Sequence, residues 1–266
     1  MPFPIDDLYL GGGKQILDGV PNTVETTTTP RWRAQIVAVH PHDIWAFCEG
    51  LVLHGGQLYE STGPEGFSSL RRVHLRTGLV LQAVRFDRPD FCEGIALRGD
   101  QIVQLTFRQR SARIHALPSF ERVGEFSYEG EGWGLAFDGR RFVMSNGGSE
   151  LTLRHPDTFE VLSTLRVSVE GRPQAKLNEL ECVGDLVYAN VFGTSSILEI
   201  GPDGVVRKVI DLDNLLSPLE QGCLGLGDPI HRRAAVLNGI AYDPANDTFL
   251  ITGKLWPKVF RVRFVP

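Results

Sequence analysis

FCEGL at residues 47–51 returns as FCEGI at 91–95, and this near-identity 44 residues apart decides how the rest of the chain is read. The same frame, carried onward, meets WGLAFDGRRFVMSN from Trp133, NELECVGDLVYANV from Asn178 and NGIAYDPANDTFLITG from Asn238, each an apolar run, a turn and a second run. Successive units are 44, 40, 45 and 60 residues apart, the last interval stretched by a loop-like insert, SPLEQGCLGLGDPIHRRA, over 217–234. Spacings of ~40–50 residues with four short strands per unit are those of propeller blades. Runs such as GQLYEST, SLRRVHLRTG and LVLQAVRF alternate in polarity or are β-branched, while TG at 77–78, PDG at 202–204 and PAND at 244–247 supply hairpin turns.

The predicted fold is therefore all-β, a five-bladed β-propeller with four antiparallel strands per blade. One blade cannot bury both its faces, so residues 30–266 are expected to form a single domain. The last unit supplies only three strands before FRVRFVP, whereas RAQIVAVH at 33–40 precedes the first unit. The N-terminal strand is thus expected to complete the last blade and remove an open edge. Residues 1–29, which include TTTT, read as a loose N-terminal arm. The competing arrangement, a two-sheet sandwich, leaves the fivefold repeat to coincidence.

The 266 residues carry a net charge of −5 with no basic cluster interleaved with aromatics, so no nucleic-acid partner is expected. No stretch approaches ~18 consecutive apolar residues, so no membrane span is expected. The opening MPFPIDDLYLGGG shows neither the basic nor the apolar region of a secretory leader, and the compartment is left open. Cys48, Cys92, Cys182 and Cys223 form no CxxC pair and share no metal spacing with histidine, so no zinc site is expected of them. No metal or cofactor is expected; a cation on the channel axis is left open, though no Asp-rich pattern argues for one. Cys48 and Cys92 occupy one repeat position, but neighbouring blades usually hold Cα atoms beyond the ~7 Å that a disulfide allows. His40, His42, His115, His155 and His231 are scattered and read as surface or capping residues. A monomer is expected.

In a propeller the first strand of each blade lines the central channel, so one repeat position becomes a ring. That ring is Glu49, Glu93, Trp133, Asn178 and Asn238. The second strand runs back to the same mouth, bringing Phe107, Phe192 and, after a two-residue slip, Lys254. Carboxylates, carboxamides, a lysine and aromatic walls suit a small-molecule or peptide-terminus pocket, and partial burial would raise a carboxyl pKa into the range useful for proton transfer. The same residues could equally form a hydrogen-bonded plug in which Lys254 neutralises one glutamate. Spacing alone leaves both readings open.

From about residue 30 to 264 the chain resembles the glutaminyl cyclases of plants and bacteria. The resemblance is carried by PHDIWAF followed by EGL at 49–51, LYESTGPEGFSSLR at 58–71, FCEGI, EGEGWGL at 129–135, LNELE with YANV, and VLNGIAYD followed by TGKLWPKVF. It implies ring closure of N-terminal glutamine to pyroglutamate on peptides or proteins, with release of ammonia. It also implies that Glu93, in the motif FCEG, is the general acid/base, that Asn178 and Lys254 bind the polar atoms of the substrate, and that Trp133 packs on its side chain. Phe47 and Phe91 match aromatics at the entrance. The family usually has glutamine where this chain has Glu49, and tryptophan where it has Phe107 and Phe192. Glu49 would either hold the substrate ammonium and slow turnover or couple to Glu93 and raise one pKa; the phenyl rings should widen the pocket. A non-catalytic peptide-binding propeller and a metal-dependent propeller hydrolase are the alternatives.

Overall fold

The computed structural model describes residues 28–224 and 234–266, and the expected N-terminal arm lies almost wholly outside them. Strands dominate, as the alternating runs predict. β1 (Arg31–Pro41) is followed by β2 (Phe47–His54), β3 (Gln57–Gly63), β4 (Ser69–His74) and β5 (Leu79–Arg85), and the last four make an antiparallel sheet in chain order. The next sheet is β6 (Cys92–Arg98), β7 (Gln101–Thr106), β8 (Ser111–Ala116) and β9 (Arg122–Ser127). A third is β10 (Leu135–Phe137), β11 (Phe142–Met144), β12 (Glu150–Arg154) and β13 (Val161–Arg166). A short hairpin, β14 (Ser168–Val169) with β15 (Arg172–Pro173), follows it and was not expected from the repeat.

The remaining strands share one eight-stranded sheet with two antiparallel halves. One half is β16 (Leu177–Val183), β17 (Leu186–Val191), β18 (Ser196–Ile200) and β19 (Val206–Asp211); the other is β20 (Leu237–Asp243), β21 (Thr248–Gly253), β22 (Lys258–Val265) and β1. β1 runs antiparallel to β22 from Arg33↔Val265 to Pro41↔Lys258, and its first residues pair in parallel with β19. The start of the described chain is thereby sealed between its last strand and a strand of the preceding unit. The expected loop over 217–234 contains a short helix, α1 (Pro218–Cys223), whose Ser217 side chain and Glu220 cap one another reciprocally.

The inner strands are neighbours around a closed circuit: β2 touches β6, β6 touches β10, β10 touches β16, β16 touches β20, and β20 returns to β2. The fold is all-β and propeller-like. Apolar residues fill the wedges between successive sheets, as with Leu105, Ala112, Leu135 and Phe142 in one and Leu177, Ala189, Leu198 and Val209 in another. At the centre the strands approach so closely that side chains do not fit. A Cβ on Gly94 would lie 2.6 Å from the Leu135 nitrogen, and one on Gly134 would lie 2.0 Å from the Asn178 carbonyl oxygen. Gly134→Ala must therefore push β16 outward at Asn178, and we expect it to cost about 3 kcal/mol in urea denaturation.

Candidate active site

Each inner strand begins at the same end of the circuit, and the ring residues meet there. Glu49 is buried on β2, and Lys254 Nζ sits 2.7 Å from its Oε1 and 2.7 Å from its Oε2. The lysine follows β21 directly, and its backbone is held by a bond from its N–H to the Val236 carbonyl at 2.9 Å. Asn238 Nδ2 donates to the Cys48 carbonyl at 2.8 Å and to Glu49 Oε2 at 3.2 Å, while Asn178 Nδ2 donates to Asn238 Oδ1 at 2.8 Å. The Asn178 backbone is fixed in turn by Ser145, whose Oγ donates to its carbonyl at 2.6 Å and accepts from Gly134 N at 2.7 Å. A continuous chain of hydrogen bonds therefore links Lys254, Glu49, Asn238 and Asn178 across three inner strands.

Glu93, 6 % exposed on β6, lies beside Glu49. Burial pushes its pKa well above the ordinary carboxyl value, the Glu49 charge pushes it further, and Lys254 only partly opposes them. Glu49 is also raised by burial, but the ammonium of Lys254 offsets more of that cost. Glu49 is thus tied into an ion pair with Lys254, and Glu93, hydrogen-bonded to Glu49, is the carboxyl of the two that burial and its neighbour's charge raise further.

Aromatic rings wall the site. Phe47 and Phe91 meet edge to face at 6.3 Å between centroids, Phe91 and Phe107 lie 5.8 Å apart, and Trp133 meets Phe192 at 5.7 Å. Lys254 Nζ is 4.6 Å from the Phe47 ring centre and 5.6 Å from that of Phe192, so the cation joins the two aromatic groups. The Trp133 indole lies over Gly147, where a Cβ would come within 2.7 Å of the ring, and its N–H points to Glu131 at 3.3 Å. All ten ring and mouth residues singled out in the sequence converge on this end. Asn238 is the most deeply buried of them, 0 % exposed, with both polar atoms of its amide bonded within the protein.

Two acids escaped the sequence reading. Four of the five units place glycine after the ring residue, as Gly50, Gly94, Gly134 and Gly239, but the fourth unit has Glu179. Its carboxyl accepts from the Leu51 amide at 3.2 Å and the Ile240 amide at 2.7 Å, spanning the strands that carry Glu49 and Asn238. Burial, then the charge of Glu181, raise the pKa of Glu179 well above normal. Glu181 accepts from the amides of Cys182 and Tyr242 and is raised by burial to about 7. For Glu179 the signal was an acid in a glycine column of the repeat.

Two histidines also depart from expectation. His42 is buried, with Nδ1 at 2.7 Å from the Trp256 carbonyl and Nε2 at 2.9 Å from Glu60. Arg71, directly opposite Glu60 across β3 and β4, donates to it from Nε at 2.9 Å and from Nη2 at 2.7 Å, and reaches Asp43 at 2.8 Å. His115 is buried against the Phe120 carbonyl, and burial lowers its pKa. Neither histidine is a surface residue, because each finds a backbone acceptor inside a sheet interface. Burial alone would raise Glu60, but Arg71 and His42 hold it at about 2. A depressed acid contributes stability above its unfolded pKa of about 4.5, and that stability is lost as pH falls toward 2. We expect acid denaturation to remove about 3 kcal/mol through Glu60, and Glu60→Gln to flatten that part of the pH–stability curve. Cys48 and Cys92 are both free, buried thiols.

An all-β, propeller-like protein with a buried acid, an ion-paired lysine and aromatic walls at one mouth defines a class of pocket enzyme. The family model described as glutamine cyclotransferase matches residues 16–264, and the chain belongs to that family. A glutaminyl-peptide cyclotransferase of Arabidopsis thaliana is 39 % identical over 232 residues, covering 86 % of this chain and 70 % of its own. The crystal structure of Myxococcus xanthus glutaminyl cyclase superposes with a TM-score of 0.81 at 36 % identity, over 89 % of this chain and 98 % of that one.

Proposed function

We infer that this chain is a glutaminyl-peptide cyclotransferase that closes the N-terminal glutamine of peptides or proteins to pyroglutamate, with Glu93 as the proton carrier. The observation that carries the reading is the pairing of two buried carboxyls, of which Glu49 is bound on both oxygens by Lys254 while Glu93 has a strongly raised pKa. The substrate's α-amine attacks its own γ-carboxamide carbon. A C–N bond forms, the bond to the side-chain nitrogen breaks, and ammonia leaves. Because attack is intramolecular, the enzyme holds the folded-back conformer and moves one proton. Glu93 as carboxylate takes a proton from the attacking amine and returns it to the leaving nitrogen. Its high pKa suits both halves of that transfer.

The remaining roles follow from donor type. Lys254 has three N–H groups, of which two point to Glu49, and the third can stabilise the oxyanion on the carboxamide. Asn178 has its Nδ2 on Asn238 and presents Oδ1 to the substrate amide. Trp133 packs on the glutamine methylenes, Phe47, Phe91, Phe107 and Phe192 shape the entrance, and Asn238 orients Glu49 and Asn178 from behind. Glu49, charge-compensated by Lys254, serves as the lysine's anchor more than as a seat for the substrate ammonium. The sheets are read as five blades, four strands each, in one domain over 30–266, with β1 completing the last. No helix among the described residues is long and apolar enough to cross a membrane.

Product identity tests this assignment. Ring closure consumes the N-terminal amine as ammonia appears, one for one, whereas simple hydrolysis of the side chain leaves the amine free and yields N-terminal glutamate. A peptide starting in glutamine should lose its amine and one NH₃ in mass. Accumulation of N-terminal glutamate would overturn the reading.

A further inference from the structure

We propose that the exposed tip Ile44–Trp45, together with Phe67, forms a subsite for the residues following the N-terminal glutamine, so that the protein favours peptides whose second or third residue is apolar. The proposal rests on the cyclotransferase reading and concerns the part of the substrate that the chemistry does not touch.

Trp45 is 82 % exposed and Phe67 74 % exposed, and among the described residues they are the two aromatic side chains left in water. The other large exposed apolar residues are aliphatic, and most lie on β1 and on the outer strands β5, β9 and β13, away from the channel. Both aromatics instead border the mouth. Trp45 is two residues from Phe47, and the intervening Ala46 carbonyl accepts the amide of Leu255, next to Lys254, at 2.7 Å. Phe67 sits on the turn that leaves β3 at Gly63, which pairs with Phe47 and lacks a side chain where the Phe91 ring packs, 2.6 Å from the position a Cβ would take.

Neither turn owes its position to its apolar side chain. Asp43 accepts from the Trp45 amide at 3.0 Å through one oxygen and from Arg71 at 2.8 Å through the other, so the base of the tip is anchored in the buried Arg71–Glu60–His42 network. The Phe67 amide donates to Pro64 at 2.9 Å, and the next residue, Ser68, ties the turn to Asp90 and Cys92 at 2.9 and 3.1 Å. Fixed turns holding large apolar groups in water present a preformed contact, with little ordering cost on binding. With glutamine seated against Glu93, an extended peptide advances roughly 3.3 Å per residue, so its second and third residues pass over Phe47 and Phe91 onto this rim. Continuity with the pocket entrance identifies the occupant as the substrate's own chain.

The test compares glutamine amide, a Gln-Ser-Ser amide and a Gln-Phe-Leu amide on the native protein, Trp45→Ser, Phe67→Ser and Trp45→Phe. The expected result is at least a tenfold higher kcat/KM for the apolar peptide over the serine peptide in the native protein, carried by KM. Each serine variant should erase much of that preference and leave glutamine amide within about twofold of native, while Trp45→Phe should retain it. Equal kcat/KM for the two peptides, or serine variants that slow glutamine amide as strongly as the apolar peptide, overturns the proposal while the cyclase reading stands. Failure of the native protein to cyclise any of the three substrates overturns both.

Discussion

Glu93→Gln should lower kcat by about 10²–10⁴-fold while leaving the protein folded, since positioned proton transfer contributes on that scale. The substitution keeps the shape of the side chain and removes its capacity to cycle a proton. Its stability effect should run in the opposite direction to its effect on rate. Burial, then the charge of Glu49, raise the folded pKa of Glu93 above its unfolded value. A raised carboxyl costs nothing below its unfolded pKa, and its cost grows as pH climbs toward the folded value. Glu93→Gln should therefore be more stable than the native protein at pH 7, with the difference shrinking toward pH 4. Urea denaturation at the two pH values, beside the rate, separates this account from one in which the mutation merely unfolds the site. A variant that is both inactive and less stable at pH 7 would show that Glu93 is chiefly a structural group.

Lys254→Met carries the second large effect. The lysine is buried, and its ammonium compensates Glu49 while lying against Phe47 and Phe192. Removing one partner of a buried ion pair leaves an uncompensated charge, at a cost of about 3–5 kcal/mol. Without the cation, both carboxyls bind protons more tightly in the folded state, so the loss should be largest at neutral pH and smaller in acid. Adding Glu49→Gln to Lys254→Met should recover much of the stability, because the orphaned charge is gone, but none of the rate. If Lys254 also meets the oxyanion, kcat falls by about 10²–10³ in the single variant and stays there in the double. Recovery of rate together with stability would assign Lys254 a purely structural part.

The repeat was legible because an inner strand imposes a similar demand in most units: a large or polar residue facing the mouth, then, in four of the five, a glycine where strands crowd the axis. Gly50, Gly94, Gly134 and Gly239 follow that rule, which is why EGL, EGI, WGL and NGI align. Glu179 was missed because it breaks the rule, reaching across the axis to amides that no strand partner satisfies. The Glu60–Arg71 pair was hidden for a different reason: both lie at alternating strand positions where a charge normally faces water, and only cross-strand register puts them opposite one another inside the protein. The short helix is written in the chain as Ser217-Pro218-Leu219-Glu220, a capping box with proline at its first turn, inside a segment that stands out in the sequence mainly because it interrupts the repeat. Glu49 and Lys254 were placed at one mouth by spacing; that they bind one another on both carboxylate oxygens is a matter of side-chain reach that spacing does not contain.

The central claim is that a raised-pKa carboxyl at this mouth closes N-terminal glutamine. It is tested most directly by the initial rate of ammonia release from a glutamine-initiated peptide, measured on the native protein across pH. The account predicts a rate proportional to protein concentration, saturating with peptide, and rising along a limb that lies well above the ordinary glutamate pKa of about 4.3. Release no faster than the uncatalysed background at every pH would contradict it.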